Sequence, residues 1–377
     1  MNCALSELDA NASVTPLTAD QVRSLIQLHH YLYGVVLPTV CVLGFVGNIL
    51  NVIIFTKKKS SNMLDEVEYC TTICLVALAL SDMMFCITTF PNAFMTNKQA
   101  YGRHEFMLYY NIYNTAVISI FILSSTLLTV LTALMRYLAI CHPFRSRQLI
   151  SVRNSVMAIT IIAVISVAFN LPTFWRKKIE PVPCSTPMDT GVELVRTADG
   201  ELFMNLRFVY AYKLLWAIFG NFIPLSILMY CNVRLIKALH QSKQLRLLHS
   251  RDNTSCLSAH RRINITLITI IIFFFFLVAP SEITKFVFLI IKEQHRDFFT
   301  YQMVSMVTNT LQCINFSVNF ILYYVIIAPF RKTLHEFVCI LARYRRHTDT
   351  HNSNSNSGKQ QTVMLLSVKD PHHHCIA

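Results

Sequence analysis

The chain has 377 residues and a formal net charge of +13, yet only 14% of its residues are charged and 54% are hydrophobic. Soluble globular chains carry about 25% charged residues, so this composition excludes an ordinary soluble enzyme or binding domain. It indicates a protein that crosses a membrane several times.

Seven runs of the chain are long and apolar enough to cross a bilayer as helices. A spanning helix needs about 20 mostly apolar residues, because in hydrocarbon every backbone amide must be bonded within its own helix. The predicted fold is therefore an all-α membrane protein, a bundle of seven transmembrane helices with its termini on opposite sides. The spans, numbered first to seventh, cover residues 31–56, 67–95, 107–140, 152–174, 208–239, 262–291 and 300–327.

Lysine and arginine are unequally distributed between the two sets of loops that connect the spans. Loops rich in these residues face the cytoplasm, which places residues 1–30, the N-terminal arm, on the outer side. Asn11 in that arm begins an Asn-x-Ser triplet and is predicted to be glycosylated. The positive charge thus reflects membrane orientation, and no nucleic-acid partner is expected. The basic loops contain Lys57, Lys58, Lys59, Arg145, Arg147, Arg153, Lys237, Arg261, Arg262, Arg331 and Lys332.

Few ionisable side chains interrupt the spans, and such residues are costly in a membrane and by default indicate function. The most conspicuous are Asp82 in LALALSD and Arg136 at the end of the third span. An arginine in that place is equally compatible with an anchor at the membrane edge. A single amide or hydroxyl in a span is also a common packing device, because it hydrogen-bonds a neighbouring helix. From the residues alone, both alternatives stay open.

Short motifs in successive spans resemble those of a rhodopsin-class G-protein-coupled receptor over about residues 30–343. They are GFVGN, LALALSD, Arg136 followed by YLAICHP, FGNFIP, Pro280 in the sixth span, and Asn319-Phe-Ile-Leu-Tyr323. The resemblance implies a signalling protein without enzymatic activity that activates a heterotrimeric G protein. It further implies coupling residues Arg136, Tyr137, Asn232 and Tyr323. A pocket for water and a structural sodium ion, with no other cofactor, would be lined by Asn48, Asp82, Ser125, Asn315 and Asn319.

Several positions depart from the pattern of that family. Met135 stands where the family usually has the aspartate or glutamate that restrains the arginine. Val278 takes the place of a common tryptophan, and Phe320 replaces a proline of the seventh-span motif. These departures affect switching and leave the architecture unchanged. An atypical or constitutively active receptor is therefore an alternative, whereas a transporter is disfavoured because the chain shows no paired broken helices.

The cysteines also depart from the family, which ties the third span to the second extracellular loop by a disulfide. Cys184 is placed as the loop partner, but its mate would lie near Asn111, and the sequence has no cysteine between Cys86 and Cys141. Either Cys3 pairs with Cys184 or Cys184 is free.

Within the family, the sequence argues against two ligand classes, retinal and amines. A retinal pigment needs a lysine in the seventh span and an amine receptor an acid in the outer third span, and the sequence provides neither. The stretch GVELVRTADGELFMN alternates on both sides of Asp199-Gly200, which predicts a β-hairpin, with a disordered loop as the alternative. Peptide-binding members carry such hairpins. NLPTFW and IPLSILMYCN resemble invertebrate receptors for short amidated neuropeptides, the FMRFamide-receptor-like group.

A peptide ligand would lie among the outer halves of the third, fifth, sixth and seventh spans. Glu282 is the expected charged contact for a basic peptide residue, although an internal pair between Glu282 and Lys285 fits the same spacing. The predicted ligand contacts are Glu282, Lys285, Thr115, Ile118, Ser119, Asn309 and Gln312.

After the receptor domain, residues 31–327, the chain has two further predicted parts. Residues 328–343 read as an amphipathic helix on the inner leaflet, in contact with membrane lipids. Cys339 in this segment is a palmitoylation candidate. Residues 344–377 are a polar, disordered tail whose serines and threonines suit receptor kinases and arrestin as partners.

Overall fold

A computed structural model describes residues 18–59, 66–94, 101–181, 194–248, 276–281, 283, 284, 287, 298–326 and 330–340. These residues are mostly helical, which confirms the predicted fold class. Five helices are each long and apolar enough to cross a membrane, and the helix of the seventh span is a further candidate when taken with the helix that follows it. Most of the sixth predicted span lies outside the described residues.

The helix of the first span begins well before residue 31, at Ala19. Thr18 and Gln21 form a capping box, in which each side chain accepts a hydrogen bond from the other residue's backbone amide. The helix continues through a π-helical turn, Leu32–Val36, into Leu37–Lys59. Hydropathy marks only the part of a helix that crosses the bilayer, and it misses this polar extension.

The remaining helices follow the predicted spans closely. The second span is Glu66–Thr89 with a 3-10 turn, Phe90–Phe94, the third is Phe106–Cys141, and the fourth is Val152–Asn170 with a 3-10 turn, Leu171–Trp175. The fifth comprises Leu206–Leu215, a π-helical turn Trp216–Phe222 and Ile223–Leu248, and the seventh is Phe298–Ile326. Short helices are Pro143–Leu149, Glu201–Met204 and, in a separate compact unit, Phe330–Ile340.

A small antiparallel sheet lies between the ends of the spans opposite to Arg136. Its strands are β1 (Tyr101–Gly102), β2 (Lys177–Pro181) and β3 (Leu194–Asp199), in the order β1-β3-β2. We refer to this side of the bundle as the hairpin end and to the other as the Arg136 end. The fourth span leads directly into β2, and β3 leads towards the fifth span.

The predicted turn of the hairpin was wrong. The sequence pattern placed it at Asp199-Gly200, but Asp199 pairs with Lys177 of β2, and Gly200 precedes the helix Glu201–Met204. A Cβ on Gly200 would overlap the carbonyl oxygen of Trp175, and the Gly200 amide donates to the Arg176 carbonyl at 2.9 Å. Gly200 is therefore required because two backbone segments pass close to each other. A glycine in the sequence is equally compatible with such a contact and with a tight turn, so the sequence alone did not separate the two.

The first and seventh spans approach each other closely because of two glycines in the first. A Cβ on Gly44 would overlap Ser317 Oγ, and one on Gly47 would lie 2.8 Å from the Cβ of Phe320. Small residues at such contacts let two membrane helices pack backbone to backbone. The glycines of GFVGN thus bring the first span within reach of the polar residues of the seventh.

Candidate functional site

The carboxylate of Asp82 is the centre of a polar cluster inside the bundle. Its side chain is fully buried and accepts hydrogen bonds from Ser125 Oγ at 2.5 Å and from Asn319 Nδ2 at 2.7 Å. The donors belong to the third and seventh spans, so one side chain of the second span connects three helices.

Asparagines of the first span extend this cluster. Asn48 Nδ2 donates to the backbone carbonyl of Phe316 at 3.0 Å, and its own Oδ1 accepts from Asn51 Nδ2 at 3.2 Å. Asn315 is buried one turn before Asn319 on the seventh span. Sequence reasoning missed Asn51, although its position one turn after Asn48 was a usable signal. We define the polar core as Asn48, Asn51, Asp82, Ser125, Asn315 and Asn319.

The chemistry of the polar core suits a small hard cation. Both donors to Asp82 are neutral, so an ionised carboxylate at this place would carry an uncompensated charge, and burying such a charge is costly. The buried Oδ1 of Asn51 meets no hydrogen-bond donor among the described residues. Carboxylate, amide and hydroxyl oxygens are the ligand types that hard cations prefer.

Arg136 is buried at the end of the third span, with 7% of its surface exposed. Its Nε has no hydrogen-bond acceptor within the part of the chain that the structure describes. The neighbouring Met135 contacts Cys74 of the second span, with Sδ and Sγ 3.5 Å apart, and packs in a cluster with Cys70 and Ile150. An apolar contact therefore occupies the place where the resemblance expects a carboxylate.

Tyr137 connects the third span to the fifth at the Arg136 end. The hydroxyl of Tyr137 lies 3.0 Å from His142 Nε2 and 3.5 Å from the hydroxyl of Tyr230, which joins the third span to the fifth. Tyr323 is buried and meets the ring of Phe55 edge to face, with ring centroids 5.3 Å apart. Sequence reasoning selected Tyr137 and Tyr323 but missed Tyr230, although it lies in the IPLSILMYCN stretch of the fifth span.

Asn232, also predicted to take part in coupling, is buried in the fifth span. Its Oδ1 finds no donor among the residues that the structure describes. Nearby on the same helix, the carbonyl of Arg234 lies 4.0 Å from Cys141 Sγ of the third span. Within the described part of the chain, the Arg136 end thus presents a buried arginine nitrogen and a buried amide oxygen that a further partner could bond.

Three of the predicted ligand contacts belong to polar networks at the hairpin end. Thr115 donates to Asn114 Oδ1 at 3.1 Å. Ser281 Oγ lies 3.1 Å from Asn309 Oδ1 and 3.3 Å from Gln312 Oε1, which links the sixth and seventh spans.

The structure gives two other predicted ligand contacts a packing role. Ile118 packs in the apolar cluster that contains Phe85 and Phe316, and the backbone carbonyl of Ser119 accepts from Asn170 Nδ2 at 3.5 Å. Ligand contact by these two residues stays a prediction.

Asn170 is a structural residue that sequence reasoning did not select. Its Nδ2 also donates to the Ser166 carbonyl at 2.9 Å, and its Oδ1 accepts from Trp216 Nε1 at 3.0 Å. The fully buried amide thereby connects the third, fourth and fifth spans. The usable signal was an asparagine that closes the mostly apolar run IIAVISVAF, together with a single tryptophan in the fifth span.

The remaining predicted positions are Cys339 and those outside the described residues. Cys339 is half-buried in the helix Phe330–Ile340, with its Sγ 3.6 Å from His335 Nδ1. The positions that lie outside the described residues are Glu282, Lys285, Cys3, Cys184 and Asn11, together with the tail from 344 onward.

Long apolar helices packed around a buried carboxylate define a multi-pass membrane protein. The sequence profile of the family described as 7 transmembrane receptor (rhodopsin family) matches residues 47–323. The chain therefore belongs to the rhodopsin family of seven-transmembrane receptors, whose members are signalling receptors.

Individual relatives agree with this assignment at low identity. The chain is 26% identical over 337 residues to the FMRFamide receptor of Drosophila melanogaster, covering 86% of this chain and 57% of that protein. It is 24% identical to the sex peptide receptor of the same species, covering 87% and 76%. Melanopsin-A of Danio rerio is 24% identical over 57% of this chain and 33% of that protein. The chain thus spans little more than half the length of the FMRFamide receptor.

Loss of one donor to Asp82 should destabilise the bundle. Ser125→Ala removes the 2.5 Å hydrogen bond, and we expect a loss of about 1 to 2 kcal/mol, because the acceptor is charged and buried. Ser124→Ala is the matched control, since Ser124 is only half-buried on another face of the same turn. Thermal melting of the purified protein in detergent should place Ser125→Ala several degrees below Ser124→Ala. Equal melting temperatures would contradict a structural role for this bond.

Proposed function

We propose that the protein is a plasma-membrane receptor with its N-terminus outside the cell, which binds a short amidated peptide at the hairpin end and activates a heterotrimeric G protein at the Arg136 end. The observation that carries the proposal is the position of Asp82, which is bonded to Ser125 of the same helix that carries the buried Arg136. The basic loops support the orientation, since those beside Arg136 are rich in lysine and arginine.

A peptide is the ligand class that the hairpin end favours. The FMRFamide receptor and the sex peptide receptor of the fruit fly are both named for peptides. The sequence of Phe298–Ile326 contains no lysine that could hold retinal as a Schiff base, which argues against a light sensor despite the similarity to melanopsin. Of the predicted contacts, Thr115, Asn309 and Gln312 offer amide and hydroxyl groups for a peptide backbone. Glu282 remains the proposed partner for a basic side chain.

The polar core is the proposed relay between the two ends. A sodium ion there would be held by Asp82 with the oxygens of Ser125 and of the neighbouring asparagines. Such an ion would compensate the carboxylate and favour one arrangement of the second, third and seventh spans. Its release would change the contact between Asp82 and Asn319, and so the position of Tyr323, one turn further along the seventh span.

At the Arg136 end, the proposed partner supplies acceptors for the buried guanidinium. The Nε of Arg136 lacks an acceptor among the described residues, and a G-protein backbone carbonyl could fill that place. Tyr137, Tyr323 and Asn232 are further proposed contacts of the G protein. Arrestin and receptor kinases are proposed partners of the tail from 344 onward. Membrane lipids are proposed to contact the helix Phe330–Ile340, with palmitoyl attached at Cys339.

A panel of short peptides tests the proposed ligand. The receptor is expressed with promiscuous G-protein subunits and challenged with each peptide in C-terminally amidated and free-acid forms. We expect at least one amidated peptide to signal at a concentration about tenfold or more below its acid form, because a carboxylate would have to be desolvated in the pocket. Arg136→Ala should abolish that signal while binding of labelled peptide persists. Equal potency of amide and acid forms, or no response to any peptide, would contradict the proposal.

The packing of Met135 favours elevated basal signalling as a further property. Because Met135 lies in an apolar cluster with Cys70 and Cys74, no carboxylate restrains Arg136 from the adjacent position. Even a charge pair at an exposed position contributes up to about 1 kcal/mol, which corresponds to about a fivefold change in the active population. Met135→Asp should therefore lower the basal signal by a few fold at matched surface expression.

Met135→Leu is the control for this test, because it keeps an apolar side chain of similar volume and adds no charge. Its basal signal should stay close to that of the unmodified receptor. If both substitutions change the basal signal equally, packing against Cys74 is responsible and the missing carboxylate is not.

A further inference from the structure

Lys177 connects the sheet of the hairpin end to the third span. Its Nζ donates hydrogen bonds to the side-chain Oδ1 of Asn111 at 2.5 Å and to the backbone carbonyl of Asn111 at 3.2 Å. Asn111 in turn donates from Nδ2 to the hydroxyl of Tyr101, at 3.4 Å, in β1. One asparagine of the third span thus holds side chains from both outer strands of the sheet.

The environment of Lys177 indicates a specific contact. Burial lowers the pKa of its ammonium, the nearby Arg176 lowers it further, and Asp199 opposes the shift. The two oxygens of Asn111 replace only part of the lost hydration, because both are uncharged. Lys178, the next residue of β2, behaves differently. Its side chain is 43% exposed and pairs with Glu180 at 3.2 Å on the surface of the sheet.

Apolar side chains also pack between the sheet and the third span. Val195 of β3, Tyr101 of β1 and Leu108 and Ile112 of the third span form one buried cluster. Tyr101 also pairs directly with Val195 in the antiparallel ladder between β1 and β3. The sheet therefore contacts the third span through a buried apolar cluster. The hydrogen bonds between Lys177 and Asn111 form the polar contact beside this cluster.

No covalent tie is available to the third span at this place, since the sequence has no cysteine between Cys86 and Cys141. We propose that Lys177 is the positioning residue that fixes the hairpin to the third span, through its paired hydrogen bonds to Asn111 and in place of a disulfide. The proposal goes beyond the proposed function, because it holds for any ligand.

The geometry has a consequence that a disulfide would not have. A hydrogen-bonded junction opens and closes reversibly, and a shift of the third span by about 1 Å is enough to break a contact of this length. Local opening of the sheet is therefore coupled to the position of the helix that carries Ser125 and Arg136. Reducing conditions leave the junction intact, since it contains no thiol.

Hydrogen exchange of the full-length receptor in detergent micelles, without any ligand, tests this inference. Lys177→Met removes the donor and keeps an unbranched side chain. We expect backbone amides of β2 and β3 to exchange about tenfold faster in this variant than in the unmodified receptor, because exchange reports local opening. Lys178→Met is the matched control and should leave exchange unchanged. Lys177→Arg, which keeps a charged donor, and Asn111→Asp, which keeps the acceptor, should retain most of the protection.

Two further measurements test the acceptor and the role of thiols. Asn111→Ala keeps the backbone carbonyl and should give a smaller increase in exchange than Lys177→Met; it also serves as the test variant if Lys177→Met fails to fold. Dithiothreitol should leave the exchange of the hairpin unchanged in the Cys184→Ser variant, in which no bond to Cys3 can form. Equal exchange in the two lysine-to-methionine variants, or a hairpin loosened by the reductant, would overturn the proposal. Neither outcome depends on peptide binding, so the proposed function would be unaffected.

Discussion

The architecture depends on one buried carboxylate, that of Asp82. Inside a bilayer, helices gain little from burying apolar surface against each other, because lipid is equally apolar, so polar contacts carry much of the specificity. Asp82 accepts from Ser125 and Asn319 at once, which fixes the second, third and seventh spans relative to one another. The glycines at 44 and 47 allow the first span to pack closely against the seventh span, which carries Asn319. A single buried carboxyl group thereby connects three helices, and the first span joins them through the bond from Asn48 to the Phe316 carbonyl.

The third span links this centre to both ends of the molecule. Asn111 holds the sheet at the hairpin end, Ser125 bonds Asp82, and Arg136 lies buried at the far end. An α-helix rises 1.5 Å per residue, so these positions are spread along about 37 Å of one rod. Because the helix is continuous from Phe106 to Cys141, a movement imposed on the hairpin acts on the segment that carries Arg136. The third span is therefore the element through which the proposed ligand and the proposed G protein would communicate.

Hydropathy predicted the spans because bilayer crossing imposes length and apolarity directly on the sequence. Motifs predicted the members of the polar core, and periodicity would have added Asn51. The failures have physical causes. The polar helix that begins at Ala19 is stabilised by a capping box, which hydropathy does not detect. Gly200 lies at a close contact between two backbone segments and not in a turn. The bonds from Lys177 to Asn111 and from Trp216 to Asn170 join residues far apart in sequence, and a single sequence does not indicate such pairs.

The central claim is that Asp82 and Asn319 act as one bonded pair between the second and seventh spans. A reciprocal exchange tests it most directly, by measuring the thermal stability of Asp82→Asn, Asn319→Asp and the double variant in detergent. Each single change should be destabilising, the first by removing the charged acceptor and the second by placing two carboxylates together. The double variant restores one carboxylate and one amide, and it should recover at least about 1 kcal/mol relative to the sum of the single losses. A double variant whose loss equals that sum would contradict the account.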